Sequence, residues 1–337
     1  MQSIYYKNLG ADQKYYDYAL QGLKNRARAF QVGDPRKTTE IVMQVLSDYP
    51  ELFYVGQEVR VMGGLFKMEA FPVYIYSQTE ISQLNSQLEA KARALIDELI
   101  NDHQSDYDKV RALHDYLKTN LEYDTVAASS RSMTDRNVAD AHTIVGALLK
   151  HKCVCEGFAK AMKYLCDKIS LECYVVCGKG NSPLAMGPHA WNIVRINGYY
   201  HHVDVTWDNQ YSDSAEIPNY GYLNLSDDEI AKDHTWDRRF YPSCPSSPYN
   251  YFRVNDALLD SRAQLESFLY NSFQNEEEFV MFRVVRGSML EREINGCLPD
   301  CIQRASDRCK YIRASSFQYG CVPEQLTFFV RPNYEYQ

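Results

Sequence analysis

The stretch from His189 to Asp208 constrains this chain more than any other, because Asn197-Gly198 interrupts it near the middle. Asn-Gly is the dipeptide that most strongly favours a two-residue type I′ hairpin turn, and such a turn fixes the register of both flanking strands. With Asn197 and Gly198 at the turn, Ile196 pairs with Tyr199, Val194 with His201, Trp191 with Asp204 and Ala190 with Val205. Side chains alternate along a strand, and directly opposed residues share a face. His189, Trp191, Ile193, His202, Asp204 and Thr206 then occupy one face, and Val194, Ile196, Val203 and Val205 the other. His201 and His202 point to opposite faces, so at most one of them can reach a cleft on the first. His189 and Asp204 become diagonal neighbours, about 7–8 Å apart at the backbone, a gap that two polar side chains can close with a hydrogen bond.

A second stretch gives that pair a purpose. In Lys152-Cys153-Val154-Cys155-Glu156-Gly157-Phe158-Ala159, Cys155 precedes a run in which Phe158, Met162, Leu165 and Ile169 recur at helical spacing. Cys155 is therefore expected at the start of a buried helix. The unpaired amides and the positive end of the helix dipole favour a thiolate there. A lone cysteine at a helix start is ordinarily a packing residue, but a histidine and an aspartate brought together by the hairpin supply a base and an orienting carboxylate. Cys155, His189 and Asp204 are thus the candidate catalytic residues. Glu156 suits the first helical turn yet opposes a thiolate beside it, and its role is open at this stage.

The run Val154 to Ala159, with His189-Ala190-Trp191-Asn192 and His202-Val203-Asp204-Val205-Thr206-Trp207-Asp208, resembles the core of the bacterial transglutaminase-like superfamily. The likeness extends upstream to His114-Asp115-Tyr116-Leu117 and Tyr123-Asp124, and downstream to Tyr222-Leu223-Asn224-Leu225-Ser226 and Lys232-Asp233-His234. It covers roughly residues 105–241. The resemblance implies a papain-like α+β core in which a helix-borne Cys packs on an antiparallel sheet, with a Cys-His-Asp triad. It also implies acyl transfer through a thioester on a peptide or protein substrate. Hydrolysis by a protease or a glutamine deamidase, crosslinking by a transglutaminase, and a catalytically silent scaffold that binds peptides all stay open. No acidic calcium-binding loop of the animal crosslinking kind stands out. Cys153 stands where the family usually has Gly, a residue that tolerates dihedrals closed to Cys.

Around this core the chain divides into an N-terminal α/β accessory region, residues 1–101, the core at 102–241, a Pro-rich linker at 242–250 and a small α+β domain at 251–337. In the first region the patterns predict helices around Tyr15–Ala27 and Lys37–Ser47, a hairpin of Leu52–Met62 and Leu65–Tyr76 joined at Gly63-Gly64, and a long helix from Thr79 to Asn101. The core adds helices over Asp106–Leu121 and Ala139–Lys150, a polar loop from Thr125 to Asn137, a strand from Leu171 to Cys177 and a Gly/Pro-bearing loop from Gly178 to Pro188. That loop serves equally as a substrate contact or as a simple connection. The last domain reads as a strand at Tyr251–Val254, a helix at Ser261–Phe273, a strand at Phe279–Val285, a helix interrupted by Pro299, and strands near Tyr311 and over Leu326–Val330.

Charge and cysteine usage exclude other classes. A net charge of −8 with no basic stripe argues against nucleic acid as a partner. Ten cysteines in 337 residues follow no disulfide framework, and the opening residues carry neither a signal peptide nor a membrane span, so a cytoplasmic protein is expected, or an exported one if a leader is missing from the sequence. His151, Cys153 and Cys155, and separately Cys297, Cys301, Cys309 and Cys321, are the sets that could be metal ligands. Neither has paired Cys-x-x-Cys spacing, so no metal and no cofactor is assigned. Trp191 and Trp207 read as packing residues. The 27 tyrosines carry no functional reading.

Overall fold

The computed structural model describes residues 3–63, 68–130, 132, 135–181, 186–215 and 219–336. Its centre is the helix Cys155–Lys168, whose Phe158, Met162, Leu165 and Cys166 are buried as their spacing requires. Against it lies a five-stranded antiparallel sheet in the order His234–Trp236, Cys173–Asn181, Met186–Ile196, Tyr199–Val203, Leu223–Leu225. The fold is α+β, a helix-borne cysteine packed on an antiparallel sheet.

The hairpin has the predicted register, with Ile196 opposite Tyr199 and Val194 opposite His201. Asn197 and Gly198 both take positive φ, 47° and 90°, as a type I′ turn requires. Pairing runs only to Asn192 and Val203. The expected partners Trp191–Asp204 and Ala190–Val205 do not form, because the chain leaves the sheet at Asp204 and enters the helix Val205–Ala215. Asp204 is the turning point: its backbone N–H donates to Tyr222 C=O at 3.1 Å, and its carboxylate Oδ1 accepts the Trp207 N–H at 3.1 Å in the manner of an N-cap. An Asp followed by a helix-compatible turn outcompetes strand continuation.

Other boundaries move for similar local reasons. The expected loop Gly178–Pro188 is largely strand, with Gly178 opposite His189 and Asn181 opposite Met186; residues 182–185 lie outside the described set. The Gly63-Gly64 turn also lies partly outside it, between the paired strands Val55–Gly63 and Met68–Tyr74. The polar loop holds a short helix, Thr125–Ser129, capped by Asp124, and its Arg131 is outside the described residues. The helix expected over 139–150 is split into Arg136–Ala141 and Ile144–Leu148, since Thr143 takes extended backbone and caps the second. Tyr251–Val254 is a helical turn rather than a strand, capped by Asn250. Pro299 sits inside an unbroken helix, Met289–Asp307.

Buried apolar residues from Ile4 to Cys244 form one continuous cluster. A second cluster runs from Phe252 to Val330 around the four-stranded sheet Leu258–Leu259, Val280–Val284, Thr327–Tyr336, Ile312–Val322. Tyr220 and Tyr251, stacked at 4.1 Å, touch both. No helix among the described residues is long and apolar enough to cross a membrane.

Candidate active site

Cys155 is the first residue of its helix, and Val154 before it offers no side-chain cap. The Phe158 N–H bonds Val154 C=O at 3.1 Å, so the amides of Cys155, Glu156 and Gly157 precede the intrahelical ladder. The partly exposed Cys155 packs against Ala159, Val175 and Ala190, which anchor it to the sheet. Close approach of the preceding segment depends on Gly157, where a Cβ would stand 2.5 Å from Ala141 O and 2.6 Å from Cys153 Cβ. Cys153 itself is fully buried and is absent from the residues with positive φ, so the position asks for no glycine. The left-handed residue nearby is His151, at φ 56°.

His189 Nε2 lies 2.7 Å from Asp204 Oδ2, with both side chains buried. The Cys155 sulfur is near enough to act on the charge of the His189 ring. Burial works against an imidazolium here, but the Asp204 carboxylate and the Cys155 sulfur outweigh it and push the His189 pKa up to about 10. Burial likewise opposes the Asp204 carboxylate, and the His189 and His234 rings outweigh it, holding Asp204 well below the usual carboxylate range. Trp191 stacks on His189 with centroids 5.9 Å apart and Trp207 lies tilted at 5.3 Å, so the two tryptophans wall the imidazole.

Three polar groups that spacing alone did not single out complete the surroundings. Glu156 turns away from the thiol to Gln57, Lys160 and His142, at 2.6, 2.7 and 2.9 Å. Burial raises its pKa, but Lys160 and His142 bring it down to about 2, so its charge is answered locally. Gln57 belongs to the N-terminal hairpin, which therefore grips the cysteine helix at its N-terminal turn. His114 Nε2 meets Asp208 Oδ2 at 2.9 Å, both fully buried, and ties the helix that begins after Asp204 to the helix Asp106–Asn120. His234 Nε2 lies 3.1 Å from Asp204 Oδ2, on the same oxygen as His189. His114, Asp208 and His234 all stood in the stretches that carried the resemblance, but nothing in their spacing indicates a partner.

Neither cysteine set considered as metal ligands comes together among the described residues. Two other trios do, His189, Asp204 and His234, and His202, Asp227 and Cys244. In the first, both imidazoles turn a nitrogen toward one carboxylate oxygen, as N–H donors do. In the second, Trp191 N–H donates to His202 Nδ1 at 2.9 Å, so Nε2 carries the ring proton, which faces Asp227 at 2.9 Å and offers a metal no lone pair. His201, on the opposite face, is edge-on to Tyr249, and burial lowers its pKa to about 4.

Residues 93–205 match the model of the transglutaminase-like superfamily. The chain carries a transglutaminase-like core. This core is also similar to kyphoscoliosis peptidase of Mus musculus, 27% identical over 141 residues, or 40% of this chain and 20% of that protein. The Homo sapiens protein is 30% identical over 132 residues, 36% of this chain and 19% of that one. The chain thus spans about a fifth of the length of these relatives. Among solved structures, a TGase aligns over 52% of this chain and 48% of its own, at 18% identity and TM-score 0.32. A proposed cysteine protease from Cytophaga hutchinsonii aligns over 44% of this chain and 61% of its own, at 16% identity and TM-score 0.28.

Proposed function

We propose that this chain is a cysteine-dependent acyl-transfer enzyme that hydrolyses an amide bond in a peptide or protein, with Cys155 as nucleophile, His189 as base and Asp204 as its orienting carboxylate. The observation that carries the reading is the contact of Asp204 Oδ2 with His189 Nε2 at 2.7 Å, beside a cysteine that acts on the His189 charge from an uncapped helix start. Asp204 accepts a hydrogen bond from the His189 Nε2–H and fixes the ring, and the second ring nitrogen takes the thiol proton. The sulfur attacks the carbonyl carbon, and the amide N–H of Cys155 is a donor suited to the oxyanion. The C–N bond then breaks as the imidazolium hands its proton to the leaving amine, and an acyl-thioester stays on Cys155. Water adds next, giving one proton to His189, and the acid leaves as the thiol is restored.

Cys153 is absent from the residues with positive φ, so a cysteine in place of the family's usual glycine asks for no special backbone there. The test is alkylation of Cys155 by iodoacetamide across pH, located by peptide mass spectrometry, in wild type and His189→Ala. Fast alkylation at neutral pH that is lost with His189 supports the pair, whereas equal rates in both proteins refute it. A peptide-library digest then separates the acceptors: new termini mean a peptidase, conversion of glutamine to glutamate a deamidase, and incorporation of a primary amine a crosslinking enzyme.

A further inference from the structure

We infer that His234, held by Asp233, is a second histidine on Asp204 that positions this carboxylate for His189, and that the C-terminal region takes part through Gln325. The inference rests on the reading of Asp204 as the orienting group of the site.

Asp204 has three donors around it. His189 Nε2 and His234 Nε2 both address Oδ2, at 2.7 and 3.1 Å, while the Trp207 amide addresses Oδ1 at 3.1 Å. A carboxylate held at both oxygens cannot rotate without breaking a buried bond, and its plane stays turned to His189. His234 is itself fixed from behind, with Nδ1 2.7 Å from Asp233 Oδ1. The other Asp233 oxygen accepts the Tyr222 hydroxyl at 2.7 Å and the Gln325 amide at 3.1 Å. Asp233 is thus engaged at both oxygens and holds the His234 ring from behind. With one nitrogen turned to Asp204 and the other to Asp233, His234 bridges the two carboxyl groups.

His234 shares Asp204 with His189, its centroid 5.4 Å from that ring. It therefore restrains how tightly Asp204 holds the His189 proton, besides fixing the carboxylate in place. Trp207 at 4.1 Å and Trp191 at 4.8 Å enclose His234, which is 1% exposed, so solvent does not screen the effect. The other titratable or charged groups facing the cluster are Cys155 and Tyr123, near His189 and Asp204, His202 and Tyr222 beside His234, and Arg283, whose charge acts on Asp233. Gln325 comes from the turn between the last two strands, and Arg283 from the same sheet bonds Gly221 C=O next to Tyr222. The C-terminal region thus reaches the candidate site through one side chain and one backbone neighbour.

The test is a histidine-ring NMR titration on the full chain. Wild-type His189 is expected to lose its ring proton near pH 10, the value set by Asp204 and Cys155 against burial. His234→Gln keeps an N–H for Asp204 but gives up the bond to Asp233 that fixes the ring, so Oδ2 is left freer to hold the His189 proton and that deprotonation should move upward by about half a unit to one unit. Gln325→Ala removes one of the donors that keep Asp233 in place behind His234, and should move it the same way by less. If His189 titrates in both variants as in wild type, even with a lowered melting temperature, His234 is only a packing residue and the inference is wrong. If His234→Gln does not fold, the peripheral Gln325→Ala decides alone. Acyl transfer surviving in Cys155→Ala would overturn the proposed mechanism instead, while the titration still reports whether His234 acts on Asp204.

Discussion

Two helices begin at the candidate site, and they begin differently. The helix Val205–Ala215 starts at Asp204, whose side chain takes the Trp207 amide. The helix Cys155–Lys168 starts at Val154, which can take nothing. Several other helices are capped, with Ser77, Ser105 and Ser226 each in a reciprocal capping box, while Gln13–Lys24 and Arg262–Gln274 share the lack of a side-chain cap. An apolar residue at the start of a buried helix leaves amides and dipole available to an anion. A capped start does the opposite work, since it uses the helix to hold a carboxylate still. In the proposed mechanism one helix start is thus open to the reacting atoms and the other is closed around the group that orients the base.

The strongest way to break this contrast is Cys155→Ala. Acyl transfer should fall to background with the fold intact by circular dichroism, and any retained turnover would mean that the open helix start has no chemical use. Asp204→Asn attacks the closed start, and turnover should fall by a factor on the order of 10²–10⁴. Its pH dependence carries a sign. The His189 pKa is raised to about 10, so the favourable His189–Asp204 interaction is complete below the ordinary imidazole value and is lost as pH rises through about 10. Without the Asp204 charge, the alkaline limb of activity and of melting temperature should move down toward the ordinary value; a limb that stays at the wild-type position would assign it to another group.

Val154→Thr sharpens the comparison by closing the open start, because a hydroxyl at the N-cap can accept an amide of the first turn. Alkylation of Cys155 should slow several-fold while stability changes by no more than about 1 kcal/mol; an unchanged rate would show that these amides do not act on the sulfur. The smallest effect belongs to Cys153→Gly. Burial lifts the Cys153 thiol well above its ordinary value, and its backbone is ordinary. Activity should be retained, with a stability loss of about 1 kcal/mol from added chain freedom, measured by urea unfolding. A large gain in activity would instead reveal strain at this position.

Much of the site was legible because its signals are local. The Asn197-Gly198 turn sets the pairing of Ile196 with Tyr199 by backbone preference alone, and the 3.6-residue spacing of Phe158, Met162 and Leu165 buries one face of the cysteine helix whatever it packs against. The errors came where two local preferences compete. Alternation carried the strand through Thr206, while the capping ability of Asp204 ended it at Val203. Gly178 to Pro188 reads as loop by composition, yet cross-strand pairing keeps most of it in the sheet.

By itself, then, the sequence determined the hairpin and the cysteine at a helix start, since each follows from periodicity or turn chemistry within a few residues; His189 and Asp204 do meet, but with Asp204 past the end of its strand and not in the expected pair with Trp191. Only the tertiary structure decided that Glu156 is held by Gln57, His142 and Lys160, that His114 meets Asp208 across 94 positions, and that His234 and Gln325 stand behind Asp204. Those contacts join residues with no periodic relation to one another. They form because a charged or polar group buried by the packing of several elements must find a partner wherever the fold places one.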